Sequence, residues 1–160
     1  MEGNPKVIET LNEVLSSEIM AINQYFVHAK MCENWGYMLL YEDTEKRALE
    51  EMKHAEILIE RILYLDGIPI ITKFDKINVG KTVKEQAEND LALEKVAIKR
   101  LQKSIKLCFE EGDGGSRELL EHILVDEEQH ANDLESYIQQ IKDMGIENFL
   151  VTQVHKKEKS

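Results

Sequence analysis

The sequence predicts an all-α protein: a four-helix bundle with one long crossover and a short fifth helix at its C-terminus. Three observations lead there. The 160 residues include only 8 Gly and 2 Pro, while Leu, Ile, Glu, Lys and Ala dominate, a composition that favours long helices. Four long stretches repeat apolar residues every three or four positions, the mark of one buried stripe per helix. One connection is much longer than the other two, as a bundle with a crossover requires.

The first helix is expected over about Lys6 to Trp35, with Leu11, Leu15, Ile22 and Ala29 on one face and Gly36 ending it. The second, about Leu39 to Asp66, carries Ala48, Leu58, Ile62 and Leu65 and stops at Gly67 and Pro69. The third, about Thr82 to Glu110, carries Ala87, Leu91, Ile98, Leu101 and Ile105; Thr82 with Glu85 has the form of a capping box at its start. Gly112-Asp113-Gly114-Gly115 separates it from the fourth, about Ser116 to Met144, which carries Leu120, Leu124, Leu134, Ile138 and Ile141. Gly145 stops that helix, and Ile146, Phe149, Leu150 and Val154 suit a small extra one. A helix of about 28 residues is roughly 42 Å long. The stretch from Gly67 to Lys81 reaches about 50 Å when extended, enough to cross the bundle from end to end. Residues 1–160 are expected to form one domain, large enough to build a core without disulfides.

Composition excludes several classes. A formal net charge of −11 argues against nucleic acid as a partner, because phosphate binding rests on excess Lys and Arg. No apolar run approaches the roughly 18 residues of a membrane span. Met1 leads into Glu2-Gly3-Asn4-Pro5-Lys6, which has no basic-then-apolar leader pattern. Cys32 and Cys108 are far apart and form no CxxC pair, so neither a disulfide framework nor a four-thiolate site is expected. These features together give the expectation of two reduced thiols in a cytoplasmic protein.

The chemistry is carried by two copies of Glu-x-x-His, Glu51-Met52-Lys53-His54 in the second helix and Glu127-Glu128-Gln129-His130 in the fourth. Residues three apart share a helix face, so each pair can grip one metal ion. One such motif in a Glu-rich chain is a weak signal. The spacing strengthens it: Glu18 lies 33 residues before Glu51, and Glu94 lies 33 before Glu127. Glu18, Glu51 and His54 therefore recur as Glu94, Glu127 and His130, with the four glutamates on or interrupting apolar stripes. A lone ionised carboxylate in a core costs several kcal/mol, and four together would repel one another. Two divalent cations would cancel the four charges, with two neutral imidazoles completing the shells, the ligand set of di-iron and di-manganese carboxylate bundles. Oxygen and imidazole donors suit iron or manganese better than thiolate-loving metals.

Beyond the six candidate ligands, Lys6-Val7-Ile8, Leu11-Asn12, Ala21-Ile22-Asn23-Gln24-Tyr25-Phe26, Asn34-Trp35-Gly36, Glu51-Met52-Lys53-His54-Ala55 and Asp126-Glu127-Glu128 resemble the bacterioferritin family over essentially the whole chain. That resemblance implies a ferritin-like bundle, a homo-oligomeric hollow shell (a 24-mer built from dimers), oxidation of Fe(II) at a di-iron site within each subunit, and storage of the ferric mineral inside. It implies that Glu51 and Glu127 bridge two iron ions, with Glu18 and His54, and Glu94 and His130, as terminal ligands. Met52 points about 100° away from the Glu51 face. Plain packing is the ordinary role of a helical Met, whereas the resemblance makes it an axial ligand of a haem b shared between two subunits. Tyr25, on the face of Glu18, is a packing residue on general grounds and a redox residue by resemblance. A small iron–sulfur ferredoxin is the implied electron donor. Some family members place His and Asp where Lys46 and Glu50 stand here, forming an accessory iron site. Lys46 and Arg47 are cationic, so that site is not expected in this chain. His28 and His122 have no matching partner and are expected at the surface or in contacts. Two other readings use the same residues: a rubrerythrin-like peroxidase, which usually carries a four-cysteine module that two isolated cysteines cannot make, and a shell that binds haem or assembles without catalysis.

Overall fold

Asn4 starts the first helix, α1 (Pro5–Trp35), by accepting the Lys6 N–H on its side-chain oxygen at 2.9 Å; Pro5 occupies the first turn, where a missing N–H costs nothing. Gly36 closes the helix at φ +83°, a backbone conformation that glycine adopts without penalty. Helices α2 (Met38–Tyr64), α3 (Val83–Glu110), α4 (Gly114–Met144) and α5 (Ile146–Gln153) follow in a computed structural model that describes residues 1–73 and 76–154. Positions 74 and 75 of the expected crossover and 155–160 of the expected domain lie outside the described residues. No helix among the described residues is long and apolar enough to cross a membrane.

The ends of the four long helices fall within two residues of expectation, and the starts of α4 and α3 show what sets them. Helix α4 starts at Gly114 because Asp113 caps it, accepting the Ser116 N–H at 2.9 Å, while Arg61 from the end of α2 holds both Asp113 (2.7 Å) and Ser116 (2.9 Å). Only half of the capping box forms at α3. Thr82 accepts the Glu85 N–H at 3.2 Å, but the Glu85 carboxylate accepts from the Lys81 N–H at 2.7 Å rather than from Thr82 itself. Val154 sits just past α5 as its cap.

End contacts set the directions. The start of α1, the end of α2, the end of α3 and the start of α4 meet at one end, through Gly3 N–H to Leu65 C=O (3.0 Å), Asn4 to Glu111 (2.6 Å) and Arg61 to Asp113. The opposite end gathers Cys32, Leu40, Val83, Ile141 and Phe149 in one apolar cluster. Helices α1 and α2 are therefore an antiparallel hairpin, as are α3 and α4, and the 65–82 connection runs the length of the bundle. This is the ferritin-like arrangement with one long crossover and a short C-terminal helix.

Apolar packing brackets the middle of the bundle. Leu11, Leu15, Leu58, Ile62, Leu120 and Ile123 are fully enclosed in the larger cluster on one side, each contributing about 1.5–3 kcal/mol by burial. Ala21, Tyr25 and Ala48 form a smaller cluster on the other. Glu18 lies between Leu15 and Ala21, and Glu51 between Ala48 and Ala55, so both carboxylates sit at the seam.

The crossover is fastened by buried polar groups. Asn12 donates to Ile68 C=O (3.1 Å) and accepts from Ile70 N–H (2.7 Å); Gln24 accepts from Asn78 N–H (3.1 Å). His28, expected at the surface or in contacts, is a buried contact residue, 1% exposed. Its Nε2 accepts the Gly80 N–H at 2.9 Å, so Nδ1 carries the hydrogen and donates to Asp90 at 2.8 Å. The loop amide that fixes this ring lies 52 residues away in sequence, where helical periodicity gives no sign of it. His122 is exposed, as expected. A Cβ at Gly80 would press on the backbone nitrogen of Gln86. Gly80→Ala should displace this loop at a cost of about 1–3 kcal/mol. Hydrogen exchange should then show roughly tenfold or greater loss of protection at the amides of residues 78 and 80, with α1 and α2 unchanged.

Candidate metal centre

Six buried side chains from four helices converge at the seam. Glu18 (α1), Glu51 and His54 (α2) and Glu127 (α4) offer four donor atoms within 4.8 Å of one another; Glu51, Glu94 (α3), Glu127 and His130 (α4) offer a second such set. Glu51 and Glu127 belong to both. Their two oxygens divide between the sets: His54 Nδ1 is 3.1 Å from Glu51 Oε2 and 3.0 Å from Glu127 Oε1, while His130 Nδ1 is 3.0 Å from Glu51 Oε1 and 3.3 Å from Glu127 Oε2. Glu18 Oε2 closes the first set at 3.3 Å from His54, and Glu94 Oε1 the second at 3.5 Å from His130.

The electrostatics follow from burial. Removal from water raises the Glu18 carboxyl well above the usual range, and the neighbouring Glu51 and Glu127 charges add to the rise. Burial, with a hydrogen bond to Glu127, does the same for Glu94. At Glu127 burial acts upward too, but hydrogen bonds from Glu94, His130, His54 and Glu51 outweigh it and hold this carboxyl low. For His54 and His130 burial disfavours the cation, yet the surrounding carboxylates prevail and raise both. Carboxylates packed this closely need positive charge between them, from protons or from metal ions. The donor chemistry fits iron: hard oxygens and two imidazoles, with Cys32 and Cys108 in neither set.

Around the cluster, Tyr25 is fully buried and its hydroxyl donates to Glu94; the Arg47 guanidinium lies 5.5 Å from the ring centroid. Burial, with the charge on Glu94, pushes this phenol well above its ordinary range. Met52 faces away from the cluster and is 46% exposed. Lys46 is exposed, its ammonium 3.9 Å from Glu50. On the α2–α4 side a cavity of about 420 Å³, lined by Asp43, Lys46, Glu50, His122, Asp126 and Asp133 among others, reaches the backs of both histidines. There Glu50 and Asp126 bond His130 and His54, at 2.6 and 2.8 Å. The sequence reading gave these two carboxylates no role at the centre, although each immediately precedes a shared glutamate and they stand in the same repeat.

Fold and site together define a class: a ferritin-like four-helix bundle with a paired carboxylate–imidazole centre at mid-length. The family model described as a ferritin-like domain matches residues 8–144. The chain is 44% identical to the bacterioferritin of Mycolicibacterium paratuberculosis and 46% to that of Mycobacterium leprae, each over 147 residues and 92% of both chains. It is 43% identical to a bacterial ferritin of Pseudomonas aeruginosa over 155 residues, 96% of this chain and all of the other. The chain belongs to the ferritin-like family and, within it, to the bacterioferritins.

The raised Glu94 carboxyl yields a test on the metal-free protein. A native pKa above the ordinary 4.5 means that the native state must keep a proton that the unfolded chain releases, so wild-type stability falls as pH rises above about 4.5. Glu94→Gln, which carries no titrating group and still accepts from Tyr25, should be the more heat-stable protein, by a margin that widens with pH over that window. Thermal unfolding across a pH series checks this; a margin that shrinks as pH rises would contradict it.

Proposed function

We propose that this chain is a ferroxidase subunit of an iron-storing shell, with Glu18, Glu51, His54, Glu94, Glu127 and His130 holding a pair of Fe(II) substrate ions. One observation carries the reading: Glu51 and Glu127 each turn one oxygen toward either set, while every set has its own glutamate and histidine. That is the demand of two ions held side by side with two bridging carboxylates. In the net reaction two Fe(II) lose one electron each. Dioxygen accepts both with two protons to give hydrogen peroxide, or hydrogen peroxide accepts both with two protons to give two waters. The chain supplies charge that favours the higher oxidation state, a fixed spacing and an enclosed pocket. Tyr25 is assigned a redox role beside the centre, supported by its bond to Glu94. Family membership supports storage of the oxidised iron within a homo-oligomer, here a 24-subunit shell, and two free buried cysteines suit a cytoplasmic setting.

Met52 is assigned as the residue of this chain that would hold a haem b shared with a second copy. It lies on an uncovered stripe of α2 with Leu49 and Leu63, which are 51% and 55% exposed, a thioether on an apolar face that suits both a haem edge and a second subunit. Bound haem would supply a one-electron relay inward from an iron–sulfur ferredoxin.

Oxygen uptake and near-ultraviolet absorbance after adding Fe(II) to the metal-free shell test the centre. A fast phase saturating near two irons per subunit is expected, and it should vanish in Glu18→Ala and His54→Ala while the particle stays assembled; unchanged rates in these variants would refute the assignment. Met52→Leu should abolish the haem absorption band and spare the fast phase.

A further inference from the structure

The carboxylates next to the shared glutamates form a cross. Glu50 on α2 reaches His130 on α4, Oε2 to Nε2 at 2.6 Å, and Asp126 on α4 reaches His54 on α2, Oδ2 to Nε2 at 2.8 Å. Each histidine is thus held by the residue that precedes the other helix's shared glutamate. Both rings turn Nδ1 into the buried cluster and Nε2 outward. A neutral imidazole carries a single N–H. When a cation displaces the Nδ1 proton, a carboxylate at Nε2 keeps the remaining hydrogen there, giving the Nδ1 lone pair to the cation and blocking rotation of the ring. Glu50 is itself steadied, with the Lys46 ammonium 3.9 Å from its other oxygen.

We propose that Glu50 and Asp126 are positioning residues: they fix the tautomer and orientation of His130 and His54, each governing one of the two ion positions. The inference rests on the assignment of both histidines as ligands, and the test separates the two.

Co(II) titrated without oxygen into the metal-free shell reports both ions through its visible absorption, independently of iron oxidation. Wild type should take up two Co(II) per subunit; failure to do so would remove the proposed centre itself. Given two, Glu50→Ala should weaken one ion roughly 10- to 100-fold and leave the other. Asp126→Ala should do likewise, and the double variant should weaken both. Glu50→Gln and Asp126→Asn keep an oxygen that accepts from Nε2 and should recover most of the lost affinity. An effect of charge alone would make amide and alanine variants equally weak, and that outcome overturns the proposal. Wild-type affinity and spectrum in both alanine variants overturn it as well. Should alanine disturb assembly, Ser at either position keeps the surface polar without the reach to bond the ring, and the same outcomes apply.

Discussion

Four glutamates enclosed in one helical core are the constraint on which the rest of this molecule depends. Glu18, Glu51, Glu94 and Glu127 are each at most 1% exposed, and a buried charge without compensation costs several kcal/mol. Each comes from a different helix, and each helix is pinned on either side of the seam by apolar packing or by capped ends. The frame therefore forces the charges together, and cations or protons must resolve the conflict. The same packing that makes the cluster costly without cations sets its donor atoms in place before any cation arrives.

The internal repeat explains why so much of this was legible. A polar residue on an apolar stripe is visible in sequence because it breaks a pattern, and four such breaks at matching positions left few arrangements open. Helix positions followed from the same periodicity to within two residues at each end of the four long helices, and at α4 the cap Asp113 sets the difference. What escaped were pairings between distant segments. Surface and contact roles stayed open for His28 because its partners are a loop amide and a carboxylate on another helix. Glu50 entered only as a position where some relatives carry an accessory-site Asp, and Asp126 only as part of the Asp126-Glu127-Glu128 motif. Their role depends on which helix faces which, and that is a property of topology.

The crossover decides that topology, and through it the chemistry. Helix α2 ends at the Asn4–Asp113 end of the bundle, and α3 begins at the Cys32–Phe149 end. A short link would have started α3 where α2 stopped, running α4 parallel to α2. As built, α2 and α4 are antiparallel, with Arg61 beside Ser116, His54 beside Asp126, Glu50 beside His130 and Asp43 beside Tyr137. Only opposed directions let two identical Glu-x-x-His segments exchange partners reciprocally; parallel segments would set histidine against histidine. The approximate two-fold relation between the ion sets, the sharing of Glu51 and Glu127, and the crossed braces behind the rings all follow from that reversal. The Asn12, Gln24 and His28 bonds that fasten the crossover to α1 thus hold the connection that brings the two donor sets into a symmetric pair.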